Sequence, residues 1–288
     1  MKSTLITWKD KWNYKLQISN PENRGITRRL QKLIKNPTQD IYGVQDLKKT
    51  EKEIVLINLL LDEYNKVLKW LNCKSLNIPI ANIHIISEYE YNRKIRIRNG
   101  NKNSAGNYSY GHCYLTRGDK KFLNISAHEL AHITGLITID SVITKTILHA
   151  SLRIGISRRV GNYCWQYNGL NEALTEVIGQ EIVSRALKTR RVPSIYLTDE
   201  INVTAYPAHV CILKHLIKRA ISPSCSLESI KKALVRSYIT GNDKYLKCII
   251  PNERVAIAMK LMGTDSYAAL ATAHILGNRK LITRIEKI

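Results

Sequence analysis

His128-Glu129-Leu130-Ala131-His132 places two imidazoles and one carboxylate within five residues, a set able to hold a metal ion and move a proton. On an α-helix, positions four apart share a face, so His128 and His132 can both reach one tetrahedral zinc ion. Glu129 lies roughly 100° further round the helix. That puts its carboxylate beside the metal, where it can take a proton from a zinc-activated water. Ala127, Leu130, Ala131 and Ile133 carry no charge, so this helix can lie in a core with only its metal face polar. A helix carrying two unrelated histidines would spell the same five letters. The third ligand therefore decides.

Two completions can be compared. The metzincin pattern runs HExxHxxGxxH; Gly135 fits its glycine, but Thr138 stands where its third histidine belongs, and Asp140 is displaced by two residues. Further along, Gly169-Leu170-Asn171-Glu172-Ala173-Leu174-Thr175-Glu176 places two carboxylates four apart, on one helix face. With the upstream motif, this segment resembles the gluzincin metallopeptidases, the thermolysin-like superfamily whose second helix carries Asn-Glu-x-x-x-acid. The resemblance implies a peptidase with one catalytic zinc ion, held by His128, His132 and Glu172. It implies that Glu176 accepts a hydrogen bond from the non-ligating nitrogen of His128, and that Glu129 is the general base for hydrolysis of peptide bonds. The segment departs from the thermolysin type in two ways. The separation from His132 to Glu172 is 40 residues, and the second acid is Glu rather than Asp. A hairpin insertion would absorb the extra length.

The resemblance also implies a Tyr or His donor to the reaction's oxyanion after the Glu172 helix. Tyr206 is the first choice, with His209 and Tyr163 behind it; taken alone, each reads first as an ordinary packing or surface residue. His84, His149, His215 and His274 have no partner at ligand spacing and read as structural or surface residues.

Elements must bring these groups together. Residues 46–72 carry Ile54, Ile57, Leu60, Leu61, Tyr64, Val67, Leu68 and Leu71 at helical spacing. Ile83 to Ile86 reads as a short buried strand. Tyr108, Tyr110, His112 and Tyr114 alternate with smaller or apolar residues, the pattern of a single strand. Zincins are similar in running such an edge strand along the substrate cleft, where an extended peptide adds to it. The motif helix spans about 122–135 and a second helical segment 139–150. A hairpin follows over 152–167 with its turn near Val160-Gly161, then a helix over 169–188. Everything after Tyr206 is predominantly helical. The expected fold class is α+β and zincin-like: a small mixed sheet, an active-site helix and a mainly helical C-terminal half. Residues 1–44 read as a basic N-terminal extension, partly helical over 22–37. Residues 45–288 read as the metallopeptidase domain, with a helical subdomain from about 190.

The 288-residue chain is 44% hydrophobic with no low-complexity run, which excludes a disordered protein. Its longest apolar run, Ile54–Leu61, is interrupted by Asn58 and falls far short of a membrane span. The first residues, MKSTLITWKDKW, do not form a signal peptide. Six cysteines, none in a CxxC pair, read as free thiols in a reducing compartment. The expected location is cytoplasmic. The formal charge of +22 is the one anomaly. It reads as a lineage bias spread over a solvated surface, or as affinity for nucleic acid or another polyanion. Besides a protein or peptide substrate, it leaves open a basic nucleic-acid-associated protein, or a protease acting on nucleic-acid-bound proteins in the general plan of the repressor-cleaving HExxH peptidases. Delivery features of a toxin-like effector are missing.

Overall fold

The computed structural model describes residues 4–8, 14–21, 42–73, 75–97, 105–109, 112–135, 137–143, 148–160, 164–198 and 204–288. Helix α1 (Glu51–Trp70) opens with a capping box. The Thr50 hydroxyl accepts from the Glu53 amide, and the Glu53 carboxylate accepts from the Thr50 amide. Its apolar stripe, including Leu56, Ile57, Leu60 and Leu68, is buried. Arg117 closes a fork on Glu53, donating at 2.8 and 2.9 Å, and so ties the sheet to the start of α1. The Tyr64 hydroxyl donates to the Ala127 carbonyl, which fixes α1 behind the motif helix.

A three-stranded mixed sheet comes next: β3 (Ile83–Ile86), β4 (Gly106–Ser109) and β5 (His112–Thr116), in the order β3-β5-β4. β3 runs parallel to β5, and β4 antiparallel to it. The single strand expected over 108–115 is therefore two strands of a hairpin. Ser109 pairs with His112 and Tyr108 with Cys113. Tyr108 thus shares a face with Cys113 and Leu115 rather than with His112 and Tyr114, because a turn reverses the chain and the alternation restarts. Cys113 and Leu115 join the main core, while Tyr114 packs with Ile86, Tyr91 and Ile95 on the far face.

Helix α2 (Phe122–Thr134) is buried without interruption from Ser126 to its end, and the chain leaves it at Gly135 in an extended conformation. The segment expected as a helix over 139–150 is instead strand. β6 (Ile137–Ile143) and β7 (Leu148–Ile154) pair antiparallel. β-branched residues at 137, 138, 139, 142 and 143 favour a pleated surface over a helix. The expected hairpin over 152–167 is a meander with two reversals: one at Gly155-Ile156, the other between β8 (Ser157–Val160) and β9 (Cys164–Gln166). The six-stranded sheet is completed by β1 (Thr4–Trp8) and β2 (Tyr14–Pro21), with β2 parallel to β6. The basic extension therefore contributes two strands, and the helix expected over 22–37 lies outside the described residues.

Helix α3 (Asn168–Lys188) has no side-chain cap. The Tyr167 and Gly169 amides donate instead to the Lys260 and Met262 carbonyls, so the C-terminal half holds the start of α3. Five helices follow: α4 (Pro207–Ala220), α5 (Leu227–Thr240), α6 (Glu253–Leu261), α7 (Ser266–Leu276) and α8 (Arg279–Ile285). Ser226, Asn252, Asp265 and Asn278 cap the last four. Gly241 and Gly277 end α5 and α7 in the left-handed conformation. The fold is α+β with a mainly helical C-terminal half. Among the described residues no helix is long and apolar enough to cross a membrane.

Candidate metal centre

Helices α2 and α3 pack directly on each other and supply the whole cluster. His128 and His132 stand one turn apart on α2, and α3 brings Glu172 against both. The two Nε2 atoms are 3.2 Å apart, and Glu172 Oε2 lies 3.4 Å from each. Zinc bound tetrahedrally at its usual 2.0–2.1 Å separates its ligand atoms by about 3.3–3.4 Å. The three atoms thus form one face of such a tetrahedron, and the group could hold a metal ion. Among the described residues no other set of three His, Cys, Asp or Glu converges in this way.

Electrostatics supports the same reading. Burial pulls the His128 imidazole down, but hydrogen bonds to Glu172 and Glu176 and the charge of Glu129 push it up to about 10. Burial raises Glu172, yet the His132 charge and hydrogen bonds to both imidazoles hold its carboxyl well below the usual range. A proton retained on His128 does the charge-balancing that a cation would do at the same focus.

Each predicted residue has a definite place. Glu176 lies one turn below Glu172 on α3. Its Oε2 is 2.9 Å from His128 Nδ1, while its Oε1 accepts from the Gln180 amide group at 2.9 Å and from the Ala205 backbone at 3.3 Å. The long glutamate thereby spans the imidazole and the segment leading into α4. Gln180 also donates to Thr204, so a single face of α3 carries Glu172, then Glu176, then a clamp on that segment. Asn171 is not aimed at the metal focus; its Oδ1 accepts from the Ile156 amide and secures the β7–β8 reversal.

Glu129 is buried but outside the triangle of ligand atoms. Burial pushes its carboxyl up, and Glu172 and Glu176 add to that against the pull of the two histidines. It opens onto a cleft of about 790 Å³, which Gly106 and Tyr206 also line. A side chain at position 106 would come within 2.9 Å of Glu129 Oε1, so glycine there lets β4 pass directly over the carboxylate.

Tyr206 stands just before α4, which opens at Pro207. Its ring stacks on His128 at 5.7 Å and meets His209 edge-on at 5.8 Å. The Glu172 carboxylate beside it, then burial, then Glu129 hold the phenol far above its ordinary range, so it remains a donor. His209 is committed elsewhere. Its Nε2 lies 2.9 Å from the Gly263 carbonyl, and burial lowers its imidazole, leaving a neutral ring that props Tyr206. Tyr163 lies outside the described residues. Thr138 sits on β6.

Two neighbours were not anticipated. Tyr108 lies nearly parallel to the His132 ring at 5.9 Å, and the Tyr238 hydroxyl comes 3.4 Å from His132 Nδ1. Tyr108 was legible as a strand residue, but its face followed only from the hairpin. Tyr238 follows Ile230 and Leu234 at intervals of four and reads as a core position of α5; no local spacing signals its contact.

Compared with protein-family models, with curated proteins and with solved structures, the chain gives no match.

Proposed function

We propose that this chain is a zinc-dependent peptidase of gluzincin type, with His128, His132 and Glu172 as ligands, Glu129 as general base and Tyr206 as oxyanion donor. The observation that carries the reading is the near-equilateral triangle of Nε2, Nε2 and Oε2, with edges of 3.2, 3.4 and 3.4 Å. Two imidazoles and one carboxylate with an open fourth position are the donor set of catalytic zinc sites. When bound, zinc polarises a carbonyl and brings a water to an acidity near neutral.

The chain's own groups supply the rest. Glu129 takes a proton from the water beside it and passes one to the leaving amine. The Tyr206 phenol, kept protonated, turns its O–H to the oxygen on which charge develops. Glu176 fixes the His128 ring so that Nε2 faces the ion. β4 is an edge of its sheet and reaches the cleft at Gly106.

Hydrolysis of a mixed peptide library by the zinc-loaded chain tests this. Wild type should cleave, a chelator should stop it, and zinc should restore it. Glu129→Gln should keep one zinc per chain and lose roughly 10²–10⁴ in rate. A zinc-loaded wild type that cleaves nothing, or an active Glu129→Gln, would sink the assignment.

A further inference from the structure

The apolar positions of α5 run Ile230, Leu234 and Tyr238, all buried, and Tyr238 is 0% exposed. Its ring fits a slot that two glycines keep open. A Cβ at Gly135, just past the motif helix, would meet the ring edge at 3.0 Å, and one at Gly155, in the β7–β8 reversal, at 2.8 Å. The slot delivers the hydroxyl to three polar groups: Thr175 Oγ1 at 2.9 Å, the Ala131 carbonyl at 3.2 Å and His132 Nδ1 at 3.4 Å. A phenol has one proton and two acceptor sites. With the phenol donating to the Ala131 carbonyl, its lone pairs are left for the Thr175 hydroxyl, whose one proton is shared with the Asn171 carbonyl at 2.9 Å, and for an N–H at His132 Nδ1.

A histidine that binds a metal through one nitrogen carries its proton on the other and needs an acceptor there. Glu176 meets that need for His128. We propose that Tyr238 meets it for His132: its phenol oxygen accepts the Nδ1 proton and holds the tautomer in which Nε2 faces the ion. Tyr238 is then a positioning residue, and the helical C-terminal half is part of the metal centre. The two histidines have unlike supports, one a carboxylate and one a neutral hydroxyl. The neutral one adds no charge to a site that already gathers Glu129, Glu172 and Glu176. This inference rests on the metal reading above.

The test is equilibrium zinc binding to the full chain, with the visible spectrum of the cobalt-substituted form as a second readout. Tyr238→Phe keeps the ring in its slot and removes only the hydroxyl. It should weaken zinc binding by roughly 10-fold or more, the range for loss of such a partner, and should shift the cobalt bands. A merely structural tyrosine would instead lower the melting temperature of the metal-free chain and leave affinity and spectrum unchanged; that result overturns the proposal. If Tyr238→Phe does not fold, Thr175→Val decides. It loosens the same hydroxyl and should weaken binding in the same direction by less, and an unchanged affinity again overturns the proposal. A wild type that binds no zinc overturns both this inference and the metal reading, whereas zinc binding with an unaffected Tyr238→Phe overturns this inference alone.

Discussion

Two pairs of buried histidines lie among the described residues, and they use their nitrogens in opposite ways. His128 and His132 share one helix face, and their Nε2 atoms converge with Glu172 Oε2 on a common point. His84 on β3 and His112 on β5 form a line instead. His84 Nδ1 lies 2.9 Å from Asp46, His84 Nε2 lies 2.7 Å from His112 Nδ1, and His112 Nε2 lies 3.5 Å from the Asn82 side chain. Their rings stack at 5.0 Å, with Tyr114 against His84 at 4.7 Å. In the line, the nitrogens pass from one neighbour to the next and the result is a hydrogen-bond chain. In the triangle, three ligand atoms face a shared centre. Both pairs are buried; direction separates a group that could hold a metal ion from a core polar chain.

Substitutions that remove a converging atom should break the contrast most. Glu172→Ala should abolish stoichiometric zinc binding and hydrolysis together, and zinc should no longer raise the melting temperature as it does for a folded-state ligand; metal analysis and calorimetry read both. Tyr206→Phe should keep the metal but lower kcat by roughly 10²–10³ with little change in KM, the usual cost of one oxyanion donor. Steady-state kinetics on any cleaved peptide separates the two constants. Glu176→Ala should weaken zinc by about 10–100-fold, since His128 loses its acceptor and the Ala205 amide is released with it. Smallest at the metal is His84→Phe. Zinc stoichiometry and affinity should match wild type, while denaturant unfolding shows a loss of about 1–3 kcal/mol as Asp46 and His112 lose their partner. Weaker zinc binding in His84→Phe would erase the distinction between the pairs.

What could be read from the sequence was local or carried by a motif. His128 and His132 are one helical turn apart, so their geometry followed from spacing alone, and Glu176 fell below Glu172 for the same reason. Helix α1, strand β3 and the helical C-terminal half were legible in their apolar periodicity. The strands β6 and β7 were not, because Ile137, Ile139, Val142 and Ile143, broken by Asp140 and Ser141, keep no single period, and pairing with β2 and between the two strands decides. Alternation from Tyr108 to Leu115 looked continuous because a short reversal preserves the count of residues while changing the face. The His84–His112 contact joins residues 28 apart and Tyr238–His132 residues 106 apart; only the assembled sheet and helix layers bring them within reach.

The order of these groups along the chain has a consequence for synthesis. His128 and His132 leave the ribosome first, Glu172 follows 40 residues behind, and Tyr238 another 66 residues later. At about 5–20 residues per second, the nascent chain spends seconds holding two histidines without the carboxylate that closes the triangle. On the proposed reading, the triangle of ligand atoms cannot close, and no hydrolysis is expected, until Glu172 has been made. The contacts that hold the start of α3 and reach His132 come later still, from the helical C-terminal half.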